Sequence, residues 1–235
     1  MKGWKNRGFT LIEMLAVISV ICILSAILMP IVGNAIAGAK KVRASRNLQQ
    51  IVAAYLMASM NGVGSGLYEA KTANEWGAKL AQVTELNAAG LFAFSDDYLL
   101  EHKHVPKTIM LNKRGKKENN PEFLKLPLSV VIIAGVTSNA PAETTPIAYT
   151  RGLDPVGGMW KEAIGSDGGV YGTEGGYIVF LDGHVEFFHD LNQDGGQLTH
   201  FYTGEKTGAI AEAVNEGARA LSFTGVEWEA APFMR

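Results

Sequence analysis

Residues 14–32 form an apolar run without a single charged side chain, and one carboxylate, Glu13, stands at its leading edge. As a helix, such a run is long enough to cross the hydrocarbon core of a bilayer, which takes about 20 apolar residues. A carboxylate at the mouth of a membrane-length helix is costly unless it finds a partner, so it marks a functional site by default. Before it comes a short basic leader with Lys2, Lys5 and Arg7, ending at Gly8. Two ordinary explanations fit less well. A secretory signal also starts basic and continues apolar, but it wants a small-residue cleavage site behind the core. Here Ser25-Ala26 or Ala35-Ile36-Ala37 would have to serve. A plain transmembrane anchor accounts for the length of the run and leaves Glu13 unexplained.

The hexapeptide Gly8-Phe9-Thr10-Leu11-Ile12-Glu13, with its basic leader and the apolar run behind it, resembles the type III signal of type IV pilins and type II secretion pseudopilins. The resemblance implies a prepilin peptidase that cuts between Gly8 and Phe9 and methylates the new amino group of Phe9. It also gives Glu13 a partner, the terminal amine of a neighbouring subunit. Opposite charges attract strongly in a low-dielectric setting where either alone is heavily penalised, so such a pair would set register as well as hold subunits together. Pro30 falls where many pilins carry a helix-kinking proline, with Gly33 and Gly38 after it. Proline removes a backbone donor and glycine adds freedom, so the helix is expected to bend or locally melt there.

The family further implies a single-pass protein of the bacterial inner membrane with its C-terminal domain in the periplasm. It would polymerise with itself and with other pilin-like subunits, driven by an assembly platform and a cytoplasmic ATPase. Charge counting does not settle that topology, because Lys40, Lys41, Arg43 and Arg46 follow the run closely and weaken the positive-inside vote. The net charge of −2 gives no reason to expect nucleic acid as a partner. Cys22 is the only cysteine and lies inside the run, so no intrachain disulfide can form.

Beyond the membrane segment the pattern turns amphipathic. Leu48, Ile51, Val52, Tyr55, Leu56 and Ser59 recur at helical spacing, with Asn47 off that face, extending the helix to about residue 59. The expected organisation is a leader (1–8), a transmembrane or fibre-core helix (9–32), its amphipathic continuation (33–60) and an extracytoplasmic globular domain (61–235). Thr72 with Glu75 signals a second helix by the capping-box pattern, closed by Gly90. Ser95-Asp96-Asp97 suits the cap of a short third helix. Residues 102–120, polar and basic, read as a surface loop.

From residue 126 the chain is β-rich. Residues 130–134 form a buried strand and 147–150 another, while 177–188 form a hairpin around a two-residue Asp182-Gly183 turn. A C-terminal helix is expected over 209–221. The fold class is therefore α+β and pilin-like, with a long N-terminal helix, half membrane and half amphipathic, packed on a small antiparallel sheet. The phrase Gly175-Gly176-Tyr177-Ile178-Val179-Phe180-Leu181-Asp182-Gly183-His184-Val185 also resembles the C-terminal hairpin of large prepilin-like families.

Chemistry is sparse. Asp190, Asn192 and Asp194, followed by Gly195, offer oxygens on alternate residues and suit the opening of a Ca²⁺ loop. The closing acid of an EF-hand would fall at Phe201, so that motif fails. The plainer reading is a polar turn in which Asp190 and Asn192 bond their own backbone. His184, His189 and His200 do not converge by spacing, and no nucleophile elbow, P-loop or metal-protease motif exists, so a catalytic role is not expected. The expected function is a type II secretion pseudopilin. The rivals are a type IV pilin for adhesion, motility or DNA uptake, and a non-polymerising membrane-anchored domain that binds glycan or peptide through residues 152–176.

Overall fold

A computed structural model describes residues 10–62, 64–113 and 115–233. The chain divides into two units, residues 1–42 and 43–235. One helix, α1 (Leu11–Met60), contributes to both. In the first unit, every residue from Thr10 to Ala39 is exposed, among them Leu11, Ile18, Ile23 and Ile31. A helix satisfies its backbone polar groups within itself, so an apolar surface of this kind is compatible with lipid or with other helices. The helix continues unbroken through Pro30, Gly33 and Gly38. The local melting expected there does not occur: one proline deletes one rung of the ladder, and the turns on either side keep theirs.

In the second unit, α1 buries Ala44, Asn47, Leu48, Ile51, Val52, Ala54, Tyr55 and Ala58. The stripe also takes in Ala54 and Ala58; Leu56 is half-buried against the core, while Ser59 is exposed. Asn47, expected to face outward, is buried because its amide donates to the Gly90 carbonyl at 3.1 Å. Helix α2 (Ala73–Val83) starts at Thr72, whose hydroxyl accepts from the Glu75 backbone N–H. The Glu75 carboxylate accepts from the Lys71 N–H, one residue ahead of the expected cap residue. The helix ends at Val83, and Gly90 belongs to a separate 3₁₀ turn, Ala89–Leu91. Asp97 caps the expected third helix, which is a single 3₁₀ turn, Tyr98–Leu100.

The basic segment 102–120 is not merely a loop. It contains a hairpin of β1 (Met110–Lys113) and β2 (Lys116–Asn119), paired antiparallel from Met110↔Asn119 to Lys113↔Lys116. Hydrophobic alternation could not reveal it, because β2 is exposed at every position. The short helix α3 (Pro121–Leu124) follows.

The principal sheet has six antiparallel strands: β3 (Val130–Ala134), β4 (Pro146–Thr150), β5 (Gly176–Phe180), β6 (Val185–Phe188), β9 (Arg219–Leu221) and β10 (Val226–Glu229), in the order β10-β9-β3-β4-β5-β6. Strands β7 (Leu198–Thr199) and β8 (Lys206–Thr207) form a small ribbon of their own. Central β3 and β4 are buried at every position, as a continuous apolar run demands. The core continues to α1 and α2 through Tyr55 and Trp76, whose ring centroids lie 5.9 Å apart, and to Phe92 and Phe123 at 5.8 Å. A long N-terminal helix followed by an antiparallel sheet is the expected α+β, pilin-like architecture.

Two local expectations fail. Residues 209–221 are not a helix but a 3₁₀ turn (Ile210–Glu212) followed by β9. Their alanines favour helix in isolation, yet Ala220 is fully buried opposite Ile133, where sheet packing overrides propensity. The Asp182-Gly183 hairpin forms, but with a three-residue loop, Leu181 to Gly183. The Gly183 N–H donates to the Phe180 carbonyl, and the Phe180 N–H donates to the His184 carbonyl. Only Gly183 takes positive φ, at 91°, which is the type I turn plus left-handed residue of a bulged hairpin rather than a two-residue turn.

Candidate functional site

Of the residues expected to be processed, Gly8 and Phe9 lie outside the described part of the chain. Glu13 occupies the first turn of α1. Its Oε2 accepts from the Thr10 N–H at 2.8 Å and from the Thr10 hydroxyl at 2.9 Å, while the Thr10 hydroxyl oxygen accepts from the Glu13 N–H at 3.3 Å. This is a reciprocal capping box, and the T-x-x-E spacing ahead of an apolar run could have revealed it in the sequence. The second carboxylate oxygen, Oε1, makes no hydrogen bond among the described residues. Glu13 is thus positioned by its own chain through one oxygen and presents the other outward. Pro30 sits well inside the exposed part of the same helix.

The alternate oxygens of the 190–194 turn are engaged separately. Asp190 Oδ1 accepts from the Asn192 N–H at 2.8 Å, and the Asn192 amide donates to the Gly157 carbonyl at 2.5 Å. Asp194 takes a left-handed conformation, φ 53°. Among the described residues, no three His, Cys, Asp or Glu side chains stand together as an ion site. His184 is bonded within its own turn, to Asp182 at 2.6 Å, and lies flat on Phe180 with ring centroids 4.2 Å apart.

Among known families, the model of the prokaryotic N-terminal methylation motif aligns with residues 5–29. The motif and the long apolar helix fit the type IV pilin and pseudopilin family. No curated protein and no solved structure shows significant similarity to the chain. A prepilin motif implies processing by a prepilin peptidase and polymerisation of the pilin kind, and with the apolar helix it points to membrane anchoring. The match covers the processing region, Glu13 and most of the apolar run. Everything beyond residue 29 must be read from its own geometry.

That geometry holds a feature the sequence reading missed. Arg151 and Asp97, almost wholly buried, meet as a bidentate pair at 2.7 and 3.1 Å. Arg151 also donates to the carbonyls of Leu128 and Gly168, and Asp97 accepts from the Ser129 hydroxyl and the Leu99 N–H. The pair therefore ties the glycine-rich loop after β4 to the strand β3 entrance and the Tyr98 turn. The loop closes tightly on itself: a Cβ on Gly152, which has φ 102°, would fall 2.2 Å from the Gly169 backbone. Glycine is needed there for close approach, not for a phosphate.

A cleft opens beside β10. The Trp228 indole N–H donates to the Tyr149 hydroxyl at 2.9 Å, and that hydroxyl donates to Glu227 Oε2 at 3.2 Å. Although Glu227 is an exposed residue, its carboxylate is crowded by the cleft walls, and this desolvation raises its pKa. Nearby, Lys161 and Asp167 pair at 2.7 Å. The shared hydrogen bond raises the pKa of Lys161 and lowers that of Asp167.

Proposed function

We propose that the chain is a structural subunit of a pilus-like fibre of the secretion type, a pseudopilin cut between Gly8 and Phe9. Residues 9–32 would form the fibre core and residues 33–60 the continuation that carries the globular domain, 61–235. The observation that carries this reading is Glu13: the one charge on the apolar surface, fixed by Thr10 through Oε2 and offering Oε1 to a neighbour. The methylated amine of a neighbouring Phe9 is the complementary group. Assembly would draw the subunit out of the inner membrane by a platform protein and a cytoplasmic ATPase, and the growing fibre would push folded substrates outward. The lone Cys22 favours a pseudopilus over a surface pilus, since the domain cannot close a C-terminal disulfide loop.

Replacing Glu13 with alanine tests the reading. Fibres visible by electron microscopy in the parent strain should disappear, while the purified detergent-solubilised monomer melts as before. Fibres that form normally without Glu13 would overturn it. As a secondary part of the same reading, the 190–194 turn would hold Ca²⁺ through Asp190, Asn192 and Asp194. A Ca²⁺-dependent rise in melting temperature that Asp190→Asn removes would support that part; a melting curve indifferent to Ca²⁺ would leave the turn structural.

A further inference from the structure

Charge is unevenly divided along the second unit. Residues 102–125 hold seven Lys and Arg against two Glu, whereas residues 126–235 hold five against fourteen Asp and Glu. Much of the basic charge is displayed on and around the β1–β2 hairpin. Lys103, Lys107 and Lys116 are exposed and without an ion-pair partner among the described residues, and Lys113 pairs only across the hairpin, with Glu118 at 3.3 Å. The base of the hairpin is fastened down. Asn87 bonds the Met110 N–H and carbonyl, and the Lys117 ammonium donates to the carbonyls of Ala81 and Thr84 near the end of α2. A two-stranded ribbon is marginal by itself, and β2 buries no side chain. The fold holds this hairpin in place while leaving its cations in solvent.

The acidic segment contains the complementary feature. Trp228, oriented by its bond to the buried Tyr149, stands between two cavities of about 380 and 220 Å³ that share Trp228 and Pro155 as walls. Among the described residues the larger is lined by aromatic side chains, including Tyr202 and Phe233, and by Glu212 and Glu229, with no lysine or arginine; the Glu212 carboxylate also accepts from the Thr207 hydroxyl at 2.6 Å. In the smaller, the one cation among the described lining residues, Lys161, is already committed to Asp167. An aromatic face with nearby carboxylates suits a lysine side chain, whose stem packs on the rings while its ammonium faces ring and carboxylate together. Among the described residues, none of the hairpin lines either cavity.

We propose that the basic β1–β2 hairpin of one copy docks into the acidic, aromatic cleft around Trp228 of a second copy. The proposal rests on the fibre reading, to which it adds a specific contact between globular domains. Such a contact is heterologous, hairpin to cleft, and therefore propagates from copy to copy instead of closing a pair.

The test uses the full chain in its native membranes, with Cys22→Ser combined with Asn112→Cys on the hairpin and Ala231→Cys at the cleft, both exposed, and a short bis-maleimide. Docking predicts a ladder of cross-linked multimers that neither single-cysteine control gives. Adding Lys107→Glu or Glu212→Lys alone should cut the yield by about five-fold or more, the two together should restore it, and raised salt should weaken it. A yield no higher than the controls, or one indifferent to both reversals, overturns the proposal. The Glu13→Ala variant separates the two ideas. Fibres that require Glu13 but show no cross-link leave the fibre reading standing and remove the docking. A reversal-sensitive cross-link in a chain whose assembly ignores Glu13 upholds the docking and removes the fibre reading.

Discussion

In residues 10–39 every side chain is exposed and each helical hydrogen bond is local, while residues 43–235 bury comparable apolar side chains behind contacts that join distant parts of the chain. Leu24 and Leu48 make the contrast concrete. Both lie on α1, yet Leu24 is 54% exposed and Leu48 is fully buried. The first region is complete as a helix but unfinished as a surface, so its apolar side chains await lipid or other subunits. The second is finished by its own core. A protein built this way can keep a stable domain while its helix changes surroundings, as a subunit leaving a bilayer for a fibre must.

The contrast breaks most readily at the buried ion pair. Arg151→Met would strand the Asp97 carboxylate in the core at a cost of about 3–5 kcal/mol. Thermal unfolding should shift by many degrees or lose its cooperativity, whereas helical circular dichroism from residues 10–42 in detergent should persist. Loss of both together would contradict the independence of the two regions. The matched leucines give the next largest effect. Leu48→Ala should destabilise the domain by about 2–5 kcal/mol through cavity formation. Leu24→Ala should leave the same melting transition in place and act on assembly alone.

The smallest effect concerns Glu227. Its pKa is raised by desolvation, so the folded state binds its proton more readily than the unfolded chain does. Stability therefore falls as pH rises from 4.5 through the raised value. Glu227→Gln should stabilise the domain at pH 7 by under about 1 kcal/mol, given the residue's exposure, and the gain should vanish below about pH 4.5. A gain that grew in acid would contradict this account of the cleft. Asp167 works in the opposite sense: its depressed pKa, held down by Lys161, supports folding at neutral pH and loses that support in acid.

How much of this was legible in the sequence follows the range of the interactions. The apolar run, Glu13 and the Thr72 cap rest on contacts within a few residues, and the 130–134 strand, though paired with distant strands, is an unbroken apolar run, so each leaves a readable pattern. The Arg151–Asp97 pair joins residues 54 apart, and neither carries a local sign of burial. Ala220 was lost to helix propensity because its place between β3 and β10 depends on strands far away in the chain. The β1–β2 hairpin is hard to read because β2 is charged and fully exposed, and its turn, at Gly115 with φ 80°, is its main local signature. Of the candidate sites, Glu13 reads from the sequence as the carboxylate at the mouth of the apolar helix; its bond to Thr10, only three residues away, is the part that reading lacks. The cleft around Trp228 gave no warning, since residues 155, 161, 202, 212 and 228 converge only after folding.

The central claim is that a peptidase of the prepilin type makes residue 9 the beginning of a fibre subunit. Mass spectrometry of the N-terminal peptide, from protein extracted out of its native membranes, tests it most directly. A peptide beginning at N-methylated Phe9 is the predicted result. A chain that keeps Met1, or one cut behind the apolar run, would contradict the claim and leave an anchored or secreted domain in its place.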